Sequence, residues 1–243
     1  MLTLSDITHS YGQTQVLGRI SLELPPGRVI SVVGPSGCGK TTLLHIAAGL
    51  IAPNGGQVSN RFRRLAVMFQ EPRLLPWRTT LDNLAFGLKA QGVAQAERHA
   101  AARRIGAHLG LAEALGAYPH QLSGGMRQRA ALGRALAVEP ELLLLDEPFS
   151  ALDIGLRRDL QTLLLDLIAE RRLAALFVTH DLAEAVRIGD ELLVLSPAPA
   201  YVVQHWRQAR PASDRDAVYI HETIAQLLRM PPVAAAFDRR TQP

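Results

Sequence analysis

The stretch Gly34–Thr42, GPSGCGKTT, sits between an apolar run, RVISVVG (28–34), and a helix-like segment, LLHIAAGL (43–50). Gly34, Gly37 and Gly39 crowd three glycines into six residues, followed by a lysine and two hydroxyls. Glycine lets a backbone curl until successive N–H groups face one point, and the following helix adds its positive dipole end there. A turn of this composition between a strand and a helix is a cradle for an anion.

The order Gly34-Pro35-Ser36-Gly37-Cys38-Gly39-Lys40-Thr41 fits G-x-x-x-x-G-K-[ST], the P-loop pattern. Lys40 then bridges the β- and γ-phosphates of a nucleoside triphosphate, the Thr41 hydroxyl takes a Mg²⁺ position, and Thr42 supplies a second phosphate contact. Cys38 inside the loop reads as a small space-filler rather than a nucleophile, although a helix N-terminus lowers a thiol pKa.

Around this turn the chain is ordinary. It has 243 residues, 48% hydrophobic and 20% charged, which is enough to bury a sizeable core and far from a disordered composition. No apolar run reaches the ~18–20 residues of a membrane span, and MLTLSDITHS does not read as a secretion signal. A single cysteine leaves no partner for an intramolecular disulfide and fits a reducing compartment. A formal charge of +4 favours anionic partners in general and selects none.

LTLSDITHSYG (2–12) alternates as a half-buried strand does, and ISLELPPG (20–27) reads as a second strand ending in a turn. GQVSN (56–60) and RLAVMF (64–69) are short strand candidates. From about residue 71 to 139 the β-branched runs give way to helical spacing, in QAERHAAARRIGAHLGL (95–111) and GGMRQRAALGRALAV (124–138). Strand signals resume at ELLLLDEP (141–148), LAALFVTH (173–180) and ELLVLS (191–196), with LRRDLQTLLLDLIAERR (156–172) as a helix between the first two. This alternation predicts an α/β fold with a mainly parallel sheet, a small antiparallel β subdomain, and a helical subdomain (71–139) inserted in the α/β core. SPAPA (196–200) reads as a loop, and residues 211–243 as a helical tail with one more helix between 214 and 230.

In LLLLDEP, four leucines make a buried strand and place Asp146 at its carboxyl end, where open α/β sheets bind ligands. Asp146 suits Mg²⁺, and Glu147 suits the polarisation of an attacking water.

With QLSGGMRQRAALGRAL (121–136) between these two motifs, the sequence resembles the ATP-binding cassette (ABC) transporter ATPases over almost its whole length. The resemblance implies ATP and Mg²⁺ as ligands, with Tyr11 stacking on adenine and Val16 as a neighbouring apolar contact. It makes Gln70, in FQEPRLLPW, the residue that reaches metal and water, and His180, in VTHD, the γ-phosphate contact. Lys40 and Glu147 complete the catalytic set, and Thr41, Gln70 and Asp146 the metal ligands. Ser123, Gly124, Gly125 and Gln128 match the signature loop, expected to act in trans across a head-to-tail homodimer. Ser150, Ala151, Leu152 and Asp153 match the D-loop. Leu74, Leu75 and Trp77 are expected contacts for two integral membrane permease subunits, with a place in a satellite core as the alternative. EPRLLPW, LSGGMRQR and LLVLSPAPAYVVQHW together look like the nitrate/sulfonate/taurine importer branch, which also serves bicarbonate and thiamine-precursor systems and works with a solute-binding protein. The implied location is the cytoplasmic face of the membrane. The segment from Gly49 to Gln70 is shorter than the family pattern, so a trimmed β subdomain is expected. Arg61, Arg63 and Arg64 within it read as a solvated basic face, with lipid headgroups as the alternative partner. An ABC ATPase of lipid traffic or export has the same catalytic motifs and stands as the alternative. A nucleic-acid role lacks both a basic-aromatic stacking surface and the coiled-coil insertions or paired cassettes it requires.

Overall fold

The computed structural model describes residues 1–238. Its strands are β1 (Leu2–Tyr11), β2 (Thr14–Leu24), β3 (Val29–Val33), β4 (Gly55–Asn60), β5 (Leu65–Met68), β6 (Leu142–Asp146), β7 (Ala174–Thr179), β8 (Glu191–Leu195) and β9 (Val202–Arg207). Its α-helices are α1 (Lys40–Ala47), α2 (Thr80–Leu84), α3 (Phe86–Ala90), α4 (Gln95–His108), α5 (Gly124–Ala137), α6 (Ile154–Arg171), α7 (Leu182–Ile188), α8 (Ala217–Leu228) and α9 (Pro231–Phe237). The chain is α/β, with mainly parallel pairing and a smaller antiparallel sheet. It divides into two compact units, residues 1–63 with the chain from 167 onward, and residues 64–166.

In the first unit, β7, β3 and β8 run parallel, and β9 closes on β8 antiparallel. All five residues of β3 and all six of β7 are buried, which is why both read as unbroken apolar runs rather than alternating ones. The register pairs Val33 with Thr179 and with Val194, so the segments that follow β3 and β7 leave the sheet at the same edge. The antiparallel sheet has the order β2-β1-β4. Its middle strand kinks at Asp6, whose φ is 50°, where the β1–β4 register shifts. The 211–243 tail carries two helices, α8 and α9, where one was expected. α9 begins at Pro231, and its fixed φ suits the first helical turn. Residues 239–243 of that tail lie outside the described residues.

In the second unit, β5 and β6 pair in parallel, and α2–α5 supply the helical part. Leu84, Ala85 and Ala102 form a small core with Leu81, Ile105 and Leu115 packed on it. Close helix packing needs glycine here, since a Cβ on Gly133 of α5 would lie 2.5 Å from a Leu84 methyl and 2.7 Å from one of Leu109.

Two glycines with positive φ separate strain from collision. Gly56 (φ 86°) lies so close to β1 that an added Cβ would meet the Ser5 and Asp6 carbonyl oxygens, whereas Gly12 (φ 59°) has nothing within 4 Å. Gly12→Ala is expected to cost about 1 kcal/mol of stability, and Gly56→Ala at least about 2 kcal/mol with loss of β1–β4 pairing. Urea denaturation of the two variants checks the difference; equal midpoints would contradict the close approach at Gly56.

Candidate functional site

The first unit holds the phosphate cradle. β3 ends at Val33, the loop turns through Gly37 (φ 77°) and Gly39 (φ 109°), and α1 starts at Lys40. Gly39 must be glycine for two reasons. Its φ is left-handed, and a Cβ there would lie 2.7 Å from Val16 Cγ1 and 2.8 Å from Leu17 Cδ2. Gly34 is equally confined, with the Leu195 carbonyl oxygen 3.0 Å from a built Cβ. Val16 is therefore part of the cradle wall rather than a distant neighbour.

Lys40 is buried, and its Nζ donates to the Gly34 and Pro35 carbonyl oxygens, both at 2.8 Å, with Cys38 Sγ at 4.0 Å. The ammonium is thus held against the loop by two backbone acceptors. Thr41 is exposed at the start of α1, and Thr42 is buried. Tyr11, at the end of β1, is 53% exposed and offers a free ring face for stacking, while His9 meets it edge-on at 4.7 Å between centroids.

His180 follows Thr179 out of β7 and is exposed. The turn beneath it is tightly held. The Thr179 hydroxyl donates to Glu184 Oε2 at 2.7 Å and accepts the Asp181 N–H at 3.1 Å. Asp181 then caps α7 by accepting from the N–H groups of Ala183 and Glu184.

The second unit holds the carboxylates and the signature. All five residues of β6 are buried, and Asp146 ends it at 2% exposed. Glu147 follows at φ 44°, a left-handed conformation rare for a non-glycine residue and typical of positions over-determined by their surroundings. Its carbonyl oxygen accepts from the Ser150 N–H (3.3 Å), the Ser150 hydroxyl (3.0 Å) and Gln128 Nε2 (3.4 Å), and Gln70 Nε2 donates to its carboxylate at 3.2 Å. Gln70 and Glu147, 77 positions apart in sequence, are thereby brought together.

Ser123 caps α5 by accepting the Met126 N–H at 3.2 Å, and both Ser123 and Gly124 are exposed. Gly125 packs under Leu152 of the D-loop, whose side chain is buried, while Ser150, Ala151 and Asp153 are exposed. Gln128 differs from the other signature residues. It is 2% exposed and donates to the Glu147 carbonyl in its own unit, so it props the turn after β6 and offers no exposed surface to a partner.

The 72–79 loop presents Trp77 at 69% exposed, with Leu74 and Leu75 half-buried. Two side chains that sequence reasoning missed hold it. Buried Asn83 accepts the Leu75 N–H and donates to the Leu75, Arg78 and Thr79 carbonyls. Arg134 of α5 donates to the Pro72 and Arg73 carbonyls at 2.8 and 2.7 Å. Of the basic trio, Arg61 and Arg63 are exposed, and Arg64 directs Nε to the Glu139 carbonyl oxygen at 2.8 Å.

The glycine-rich loop with Lys40 is the P-loop motif of nucleoside triphosphatases, and the turn at Ser123 and Gly124 is an exposed, capped helix start. Residues 17–150 match the ABC transporter family. The aliphatic sulfonates import ATP-binding protein SsuB 2 of Burkholderia cenocepacia is 46% identical, over 85% of this chain and 78% of its own. The taurine import ATP-binding protein TauB of Escherichia coli O157:H7 is 44% identical, over 84% and 83%. Among solved structures, dimeric MJ0796, a bacterial ABC transporter cassette, superposes with a TM-score of 0.80 at 29% identity, covering 85% of this chain and 98% of that one. The same cassette as a post-hydrolysis dimer bound to ADP and Pi gives 0.79 at 28% identity. The chain belongs to the ABC transporter family, and it is an ATPase of that family.

Cys38 is 1% exposed, and burial pushes its thiol pKa up from the ordinary cysteine value, with Lys40 pulling it partly back. The thiolate is the reactive form, so a raised pKa means less of it at neutral pH. Iodoacetamide is expected to label Cys38 more slowly at pH 7 than it labels a free exposed cysteine, and faster as pH rises above the ordinary thiol range. ATP should protect, and the adduct should end hydrolysis. Rapid labelling at pH 7, or an alkylated protein with full ATPase activity, would contradict the placement of this thiol inside the cradle.

Proposed function

We propose that the chain is the ATP-hydrolysing subunit of a bacterial importer for a small sulfonate such as taurine or an alkanesulfonate, working peripherally at the cytoplasmic face of the membrane with two permease subunits and a solute-binding protein. The observation that carries the reading is the Gln70–Glu147 contact beside a strained Glu147. It joins the carboxylate that handles water to the loop that presents Trp77. The similarity to sulfonate and taurine import proteins supports the solute class. No described helix is long and apolar enough to cross a membrane, in keeping with separate permease subunits.

The roles follow from the chemistry of each side chain. Backbone N–H groups of Ser36–Thr41 and the start of α1 take the phosphates, and Lys40 exchanges its two carbonyl acceptors for phosphate oxygens. Tyr11 stacks on the base and Val16 lines its approach. Glu147 accepts a proton from the attacking water, Gln70 orients that water, and His180 donates to the γ-phosphate as charge builds on it.

The donor set suits Mg²⁺. Thr41 carries a hydroxyl, Asp146 a carboxylate and Gln70 an amide oxygen, all hard oxygens. Among the described residues there is no cluster of three or more His, Cys, Asp or Glu, and Mg²⁺ commonly relies on one or two carboxylates plus substrate phosphates. When bound, the ion neutralises charge on the β- and γ-phosphates.

Ser123 and Gly124, exposed at the capped start of α5, are a second anion-binding turn. In a head-to-tail homodimer they close over the ATP held by the other subunit. That ATP-dependent closure, and reopening after hydrolysis, is passed to the permeases through Leu74, Leu75 and Trp77.

Cells carrying Glu147→Gln as the only copy test the reading. The variant should keep ATP affinity while ATPase falls about a hundredfold or more, and uptake of taurine or alkanesulfonates should stop. Normal uptake of both with loss of nitrate or bicarbonate uptake would move the solute within the branch. Normal uptake of all of them would point to export or lipid traffic.

A second test concerns the dimer. Lys40→Ala and Ser123→Arg should each be inactive alone, and mixing them should restore part of the hydrolysis, because one composite site per mixed dimer is intact. No recovery would count against the head-to-tail arrangement.

A further inference from the structure

Arg215 lies just before α8, and at 4% exposed it is among the most buried charged side chains described. Its Nη1 donates to three carbonyl oxygens at the end of α7, those of Val186 (3.1 Å), Arg187 (3.2 Å) and Gly189 (2.8 Å). Its Nε donates to the Arg210 carbonyl at 2.9 Å, and its Nη2 lies 3.6 Å from Asp190 Oδ1.

A helix leaves its last carbonyls without intrahelical partners and carries partial negative charge at that end. Arg215 answers both with one planar fork. Gln208 reinforces it by donating to the same Val186 oxygen at 3.1 Å, and Tyr219 of α8 fixes Gln208 through a 2.9 Å hydrogen bond. Asp190, besides pairing with Arg215 through Oδ1, accepts the Val29 N–H on Oδ2 at 2.9 Å and has Arg28 at 4.0 Å from Oδ1. The guanidinium therefore ties the tail to the C-terminal end of α7 and, through Asp190, to the start of the strand that feeds the phosphate cradle. Burial lowers its pKa from the ordinary arginine value, and Asp190 and then Tyr219 pull it partly back.

α7 is only seven residues long, and His180 stands two residues before its first turn. A helix this short has little stiffness from its own ladder, so the direction in which it holds its N-terminal residues depends on what grips its two ends. Thr179, Asp181 and Glu184 grip one end, and Arg215 with Gln208 the other. We infer that Arg215 is a positioning residue for hydrolysis: by clamping the C-terminal end of α7 from the tail, it sets the orientation of His180 toward the γ-phosphate. The inference rests on His180 acting at that phosphate.

The consequence is a specific kinetic signature. Misorienting a γ-phosphate contact slows the chemical step and leaves nucleotide binding, which depends on the cradle and the base, largely intact. Three variants of the full-length subunit, His180→Ala, Arg215→Gln and the double variant, are compared for ATP affinity and for single-turnover hydrolysis. Arg215→Gln is expected to lower the hydrolysis rate about tenfold, with ATP affinity within about twofold of the parent. In the His180→Ala background the same change should have no further effect, because the group it orients is gone.

Arg215→Lys keeps the charge but cannot span the carbonyls, and it should fall between parent and Arg215→Gln. If Arg215→Gln fails to fold, Asp190→Asn serves, since it keeps an acceptor for Val29 while removing the charge opposite Arg215, and it should give a smaller loss with the same dependence on His180. An unchanged rate, or a loss of equal size with and without His180, overturns the inference while leaving the histidine's role standing. Full activity of His180→Ala alone would instead remove that role, and the inference with it.

Discussion

The pairing of Val33 with Thr179 at the end of β3 and β7 is the constraint on which the phosphate-handling half of the molecule depends. Parallel strands in register must end together, so the loop after one and the histidine after the other leave the sheet side by side. The third parallel strand, β8, closes the same edge, and its Leu195 carbonyl would lie 3.0 Å from a Cβ at Gly34, so any side chain there would have to push the strand back. Glycine content, loop path and histidine placement are thus consequences of one register. A single-residue slip would exchange the two covered faces of β3, each packed for different side chains, and shift the start of the cradle relative to His180.

In the second unit, α5 has the corresponding organising role. Its first turn is capped by Ser123, its middle sends Gln128 to the Glu147 carbonyl, and its later turns send Arg134 to the Pro72 and Arg73 carbonyls. One rigid element thereby touches the signature turn, the backbone of Glu147 and the loop bearing Trp77. Displacement of any one of these would be felt by the other two without a flexible relay. Close packing around Gly133 keeps the helix from sliding as a separate body.

Much of this was legible in the sequence, because the chemistry is carried by short contiguous motifs. GPSGCGKTT, LLLLDEP and LSGG each combine a local conformation with the side chains it serves, and the α/β class follows from strand–helix alternation. What escaped did so for physical reasons. α2 and α3 have five residues each and α7 seven, too few for a 3.6-residue period to register. β9 is an edge strand of mixed burial, VVQHWR, with neither a clean alternation nor a continuous apolar run. Asn83, Arg134 and Arg215 bond mainly to backbone carbonyls, and every residue supplies a carbonyl whatever its side chain. Such partners leave no mark in the sequence. Gln128 was grouped with the exposed signature by adjacency alone, whereas its place on α5 turns it inward.

The left-handed backbone at Glu147 has a consequence for how this protein can change. A carboxylate-bearing residue at φ 44° costs on the order of 1–3 kcal/mol that glycine would not incur. Greater local stability is therefore reachable by deleting the very carboxylate to which the proposed function assigns hydrolysis. Any regime that rewards robustness without rewarding turnover, such as thermal screening of an isolated domain or relaxed demand for the solute, should favour glycine or asparagine at this position. Stability and activity are set against each other at a single pair of backbone dihedrals.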